Sequence, residues 1–229
     1  MRFRATDLAV GVAVLVCLGA GVGCERSTGG RAVRTSGAAP STTSVAPTRS
    51  DPAEPVPGVE VTLPEHIPPN AVVCFPRPPA SGTMAVASVP DPAAPVITLP
   101  LPDGWNSARG SGDVALTASG PAGMSVRVTI TPTDLEAGGA FLRYAAELRT
   151  RWPGVAVAVA PAQFCGYSSQ LLSGTVAGPG GVAFADRITH VWTNTKSFLV
   201  VIHLEGPVGV PGFDAAKATT MQQFAVVIP

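Results

Sequence analysis

Ser168 and the three histidines, His66, His190 and His203, are the residues whose types would suit catalysis. "GYSSQ" (166–170) puts Ser168 where the nucleophile of a G-x-S-x-G elbow stands. Gln170 replaces the second glycine that the tight strand-to-helix turn needs, and the residues after it are strand-like. Ser168 is therefore expected to begin a strand. No histidine has a second one at i+4, so the H-E-x-x-H zinc pattern is absent. His190 and His203 fall on predicted strands, where half-buried rings with satisfied nitrogens are expected. "GPGG" (178–181) lacks the lysine and the helix start that hold a phosphate, and reads as a hairpin loop. Asp134, Glu136, Glu147, Asp186 and Glu205 have no metal-loop spacing. No catalytic, cofactor-binding or metal-ligating residue is assigned, and the chain is read as a non-enzyme.

The cysteines carry a different chemistry. Arg2 and Arg4 open the chain, Leu8 to Leu18 is apolar apart from one glycine, and small residues lead from Gly19 to Cys24. That is the layout of a secretory signal. The apolar run from Leu8 to Gly23 has 16 residues, short of the ~20 that span a bilayer as a helix. Val22-Gly23-Cys24 followed by Glu25-Arg26 matches a bacterial lipoprotein signal, which is cleaved before a cysteine whose thiol takes a diacylglyceryl group. Gly21 stands where a leucine is usual. An ordinary secreted protein and an uncleaved anchor are the other readings. Cys17 sits inside the apolar segment and would leave with the leader. Cys74 and Cys165 remain, an even pair in an oxidising compartment. They are read as a disulfide, with two buried thiols as the alternative.

Residues 24–64 are rich in Ser, Thr, Pro and Ala, and no aromatic residue lies between Phe3 and Phe75. Such a segment buries too little apolar surface to offset its ordering entropy. It reads as a disordered tether reaching about 35 Å. Three sections follow: a signal peptide at 1–23, the lipidated cysteine and tether at 24–64, and one domain at 65–229. The domain opens with a proline-rich segment, 65–94. The formal net charge is +0 and only 13% of residues are charged, so a nucleic-acid partner is excluded.

Strands are expected where apolar residues alternate: 95–105, 113–119 and 124–131, the last with Met124, Val126, Val128 and Ile130 inward. Thr133-Asp134-Leu135-Glu136 reads as a capping box opening a helix. Phe141, Ala145, Leu148 and Trp152 would be its apolar face, and Arg143, Glu147 and Arg151 its charge pairs. Four more strands are expected at 155–160, 168–176, 182–193 and 197–205, the last two joined by a tight turn at Asn194-Thr195. A closing helix runs from Asp214 to about Phe224. The expected fold class is α+β: an antiparallel sheet of about six to seven strands with helices packed on it.

The leader ending in Cys24, the Thr/Pro-rich tether, "ITLPLPDGW" near the start of the domain and "FDAAKATTMQQFAVVIP" at its end resemble the LpqN/LpqT-type lipoproteins of mycobacteria. The resemblance covers roughly 90–229 and the leader. It implies the Mog1/PsbP-like fold, a cell-envelope location, and binding or accessory roles without catalytic residues.

The expected function is that of a lipid-anchored, non-catalytic accessory or adaptor protein on the outer face of the cytoplasmic membrane. Its partners would be the membrane, through the lipid, and envelope proteins or envelope lipids. The alternative is a carrier that holds a lipid or glycolipid in an apolar pocket. Trp105, Trp192 and Tyr167 could line such a pocket, or belong to the core.

Overall fold

The computed structural model describes residues 55–60, 66–75, 78, 81–178, 180–222 and 224–229. Cys17, Cys24 and most of the expected tether lie outside the described residues. All the described elements belong to one unit, Ser50–Pro229.

Eleven strands and two α-helices are described. In chain order they are β1 (Val72–Val73), β2 (Gly82–Ala87), β3 (Val96–Pro102), β4 (Asn106–Arg109), β5 (Val114–Ser119), β6 (Ser125–Thr133), α1 (Ala137–Arg151), β7 (Val157–Pro161), β8 (Ser169–Val176), β9 (Val182–Trp192), β10 (Ser197–Pro207), α2 (Phe213–Met221) and β11 (Ala225–Val227). They form two antiparallel sheets. The large one has seven strands in the order β4-β5-β6-β10-β9-β8-β7, and the small one has four, β1-β11-β3-β2.

Alternation decides which side chain meets which layer. On β10, Phe198, Val200, Ile202 and Leu204 join Val126, Val128 and Ile130 of β6 in the main core. That core is closed by Ile97, Leu99 and Leu101 of β3 and by Ala216 and Met221 of α2. Val201 of β10 faces the other way, with Ile188 and Phe184 of β9, into a second core under Phe141, Ala145 and Leu148 of α1. The molecule is thus layered: small sheet and α2, large sheet, α1. Both faces of β10 are covered, which explains its unbroken apolar run. The α+β class, the antiparallel sheet and the packed helices are as expected.

Some expectations change in detail. The capping box does not form. Thr133 ends β6, its Oγ1 accepts the Leu135 N–H at 3.2 Å, and α1 begins after Glu136, which caps without its side chain. A strand continuing into the turn holds Thr133 extended, so its hydroxyl serves the turn and not the helix. Arg143 pairs with Glu147 at 2.9 Å as expected. The closing helix stops at Met221, and the residues beyond it form β11. The small sheet was not anticipated. Three of its strands, β1, β2 and β11, are short or lie in proline-rich sequence, where local pattern is weakest.

The folded body also starts earlier than residue 65. Pro57 O accepts from Gln170 Nε2 at 2.7 Å, Gly58 O accepts the Ser169 N–H at 2.9 Å, and Glu60 N–H donates to Ser168 Oγ at 2.8 Å. Val56 and Val59 pack on the α1 core. Gly58 makes this docking possible. Its φ is +78°, and a Cβ there would stand 2.1 Å from Ser169 O.

Candidate functional site

β9 carries two adjacent charged residues through the middle of the molecule, and its pleat sends them to opposite faces. Arg187 points toward the small-sheet side and Asp186 toward α1. Both are buried, Arg187 at 5% exposure and Asp186 at 0%. Each organises one candidate site.

Arg187 lines a groove of about 480 Å³ between β8, α2 and the 162–165 loop. Its Nε donates to Ser169 Oγ at 3.2 Å, and Nη2 donates to Ala162 O at 2.5 Å. Nη1 donates to Met221 O and to Gln222 O, the second at 2.7 Å. The last two are carbonyls at the C-terminal end of α2, where the helix dipole is negative. The guanidinium also lies over two rings, 4.4 Å from the centroid of Phe164 and 5.5 Å from that of Phe224. Among the described residues no carboxylate pairs with it. Burial lowers its pKa to about 10, so it stays charged at neutral pH. Leu171 and Met221 supply apolar wall, and Phe75, 79% exposed, stands at the rim. Cys74 and Cys165 lie at the same rim, joined as a disulfide with Cα atoms 6.0 Å apart.

On the α1 face, His203 lies between two carboxylates. Its Nδ1 donates to Asp186 Oδ1 at 2.5 Å and its Nε2 donates to Glu205 Oε2 at 3.2 Å. A ring donating from both nitrogens is an imidazolium. Ser125 Oγ completes the chain by donating to Glu205 Oε1 at 3.2 Å. Burial pulls the His203 pKa down, but the bonds and charges of Asp186 and Glu205 outweigh it and hold it above the usual histidine value. Glu205 is held below the usual carboxylate value, because His203, Ser125 and Arg127 outweigh its own burial. Tyr144 is pushed up by burial and then by the nearby Asp186 carboxylate. Trp152 covers the cluster, its ring centroid 6.2 Å from that of His203.

Ser168 and His190 share a small pocket at the start of α1, with Tyr167 and Trp192. They do not form a nucleophile–base pair. Ser168 Oγ holds the Glu60 N–H, and His190 Nε2 bonds to Leu135 O at 3.1 Å. Burial keeps His190 below the usual histidine pKa, so its ring is neutral. Tyr167 is a core residue whose hydroxyl has no partner among the described residues, and Trp105 is packed in the main core against Gly120. Neither lines the groove. Sequence reasoning missed Arg187, although a buried-looking Asp-Arg pair inside "VAFADRITHVW" was a signal. A charged pair in an apolar strand sends one charge to each face, and each needs an answer.

No family model matches the chain, and a search of curated proteins finds no match. Solved structures do match. The crystal structure of LpqN, involved in cell envelope biogenesis of Mycobacterium tuberculosis, aligns with a TM-score of 0.52 at 17% identity. The match spans 63% of this chain and 91% of that one. The chain has the fold of LpqN. The solution structure of a cyanobacterial PsbP from Synechocystis also aligns, at 16% identity and a TM-score of 0.40, over 62% of this chain and 92% of its own. The sheet layers and flanking helices of the LpqN fold are therefore present here, as the short sequence motifs implied. At such low identity the likeness concerns architecture, and the functional residues of this chain have to be read from its own side chains.

Proposed function

We propose that the protein is a lipid-anchored, non-catalytic accessory protein of the cell envelope, held at the membrane through Cys24 and binding envelope components with its folded domain. The carrying observation is how the polar side chains are used. Ser168 fixes the backbone of Glu60, His190 fixes that of Leu135, and His203 bridges two carboxylates. Each of these groups is spent on holding chain segments together. Support also comes from the shared fold with LpqN, described as involved in cell envelope biogenesis. Among the described residues no helix is long and apolar enough to cross a membrane.

The carrier reading has its own support in the Arg187 groove, whose volume of about 480 Å³ is typical of small-molecule sites. The groove lies at the surface, and the main core beneath it is closed by packed side chains.

A deletion strain of the source organism tests the proposal. Deletion should raise its sensitivity to detergent, and the wild-type chain should restore resistance. Cys24→Ala should leave the protein folded but released from the membrane fraction, and should not restore it. His203→Gln, once shown to be folded, should restore it. A folded but inactive His203→Gln chain, together with turnover of an envelope substrate by the wild type, would overturn the non-catalytic reading.

A further inference from the structure

We propose that the Arg187 groove binds a single-chain amphiphile with a carboxylate head, a fatty acid, with the head at Arg187 and the chain along the apolar wall toward Phe75. This inference rests on the binding-protein reading and names a ligand for it.

The charge balance is the first argument. Arg187 is 5% exposed, and no carboxylate pairs with it among the described residues. Its bonds go to neutral acceptors: one hydroxyl and three backbone carbonyls. The end of α2 offsets only about half a charge. A buried cation in a low-dielectric site attracts an anion more strongly than the same cation in water. Lys217, on the same groove, adds a second positive charge. Its own partner, Asp214, is 3.8 Å away and 96% exposed, so that pairing is weak.

The type of head follows from the donor count. A guanidinium has five N–H donors. Four are already engaged, one each to Ser169, Ala162, Met221 and Gln222. One remains, which suits one oxygen of a singly charged head. A phosphate dianion would need a wider set of donors.

The tail follows from the walls. Phe75, Phe164, Leu171 and Met221 are apolar residues lining the groove, and Phe75 is 79% exposed. Phe75 is the most exposed of the large apolar side chains described, and a bound chain would cover it.

Calorimetric titration of the chain from Glu25 to Pro229 with dodecanoate, dodecanol, dodecyl phosphate and acetate tests this. Dodecanoate should bind saturably at one site, dodecanol at least tenfold more weakly, and acetate without saturation. Lys217→Glu should weaken dodecanoate at least threefold and leave dodecanol unchanged. Phe75→Ala should weaken both. Phe75 is 79% exposed and the Lys217 side chain 31% exposed, so neither belongs to the closed core. Arg187→Met, if folded by circular dichroism, should remove the preference for carboxylate over alcohol. Equal affinity for dodecanoate and dodecanol, or no saturable binding of dodecanoate, would overturn the proposal. Tenfold tighter binding of dodecyl phosphate would overturn the carboxylate assignment. If the wild-type chain restores detergent resistance in the deletion strain yet ignores dodecanoate, this inference fails and the accessory reading stands.

Discussion

The side-chain amide of Asn194 grips the backbone of Ile67 from both sides. Oδ1 accepts the Ile67 N–H at 3.2 Å, and Nδ2 donates to Ile67 O at 2.8 Å. Asn194 holds φ at +67° in the four-residue connection, 193–196, between β9 and β10, a conformation asparagine tolerates better than most residues. The central hairpin of the large sheet thereby fixes the start of the proline-rich segment. Asn194→Ala should lower stability by about 1–3 kcal/mol. Asn194→Gly keeps the turn and loses only the grip, so it should cost less. Thermal unfolding of both variants measures this. A change within about 0.5 kcal/mol for the alanine variant would show that the grip contributes nothing.

Stability should peak near pH 6.5, with one histidine on each flank. His203 has a folded pKa above 6.5, held there by Asp186 and Glu205 against its own burial. Its contribution is complete below 6.5 and is lost as pH rises through the folded value. His190 has a folded pKa below 6.5, chiefly from burial. The folded state resists its protonation, so stability falls as pH drops from 6.5 toward that value. Glu205 adds a further loss below 4.5, as pH falls through its depressed folded value. Urea unfolding between pH 4 and 9 should show the maximum. His203→Gln should flatten the alkaline side and His190→Gln the acid side. A profile unchanged by either substitution would contradict this.

Two glycines should respond to alanine with opposite signs. Gly58→Ala would put a Cβ 2.1 Å from Ser169 O at a φ of +78°. It should release residues 55–60 from the sheet and cost about 1–3 kcal/mol. Gly138, in the first turn of α1, has room for a methyl: a Cβ there makes ordinary van der Waals contact, with Val56 Cγ2 at 3.6 Å. Gly138→Ala should gain about 0.5–1 kcal/mol from helix propensity. Hydrogen exchange at 58–60 reads the first effect and thermal unfolding the second.

The disulfide closes a separation of 91 residues. Chain-entropy reasoning gives such a closure at most about 4–5 kcal/mol. Reduction should therefore lower the unfolding temperature clearly and loosen the groove rim. Denatured, unreduced protein should leave Cys74 and Cys165 unreactive toward iodoacetamide. Full reaction of both thiols would contradict the pairing.

What the sequence revealed follows from how local each signal is. β3, β6 and β10 were legible because Ile97-Leu99-Leu101, Val126-Val128-Ile130 and the run from Phe198 to Leu204 carry their own pattern, and all these residues except the half-buried Leu199 and His203 are buried. The docking of Val56 to Glu60 was hidden because its partners, Ser168, Ser169 and Gln170, are more than 100 residues away. Composition alone makes such a proline-rich stretch look free. The β-strand at Ala225–Val227 was missed for a related reason. It pairs with β3 and β1, both distant in sequence, and three residues show no periodicity. His190 and His203 lie on strands as read, and Ser168 stands just before β8 instead of beginning it, but the carboxylates around His203 became visible only once β9 and β10 were in register, with His203 opposite Asp186. The Arg187 groove needed β9, α2 and the disulfide loop together, and no single window of sequence contains them.

A domain working from a lipid anchor on Cys24 leaves its signature in the intact mass of the mature protein taken from its own membrane fraction. The mature chain should start at Cys24, carry a diacylglyceryl group there, and be lighter by the two hydrogens of one disulfide. A mature chain starting at any other residue, or an unmodified Cys24, would contradict it.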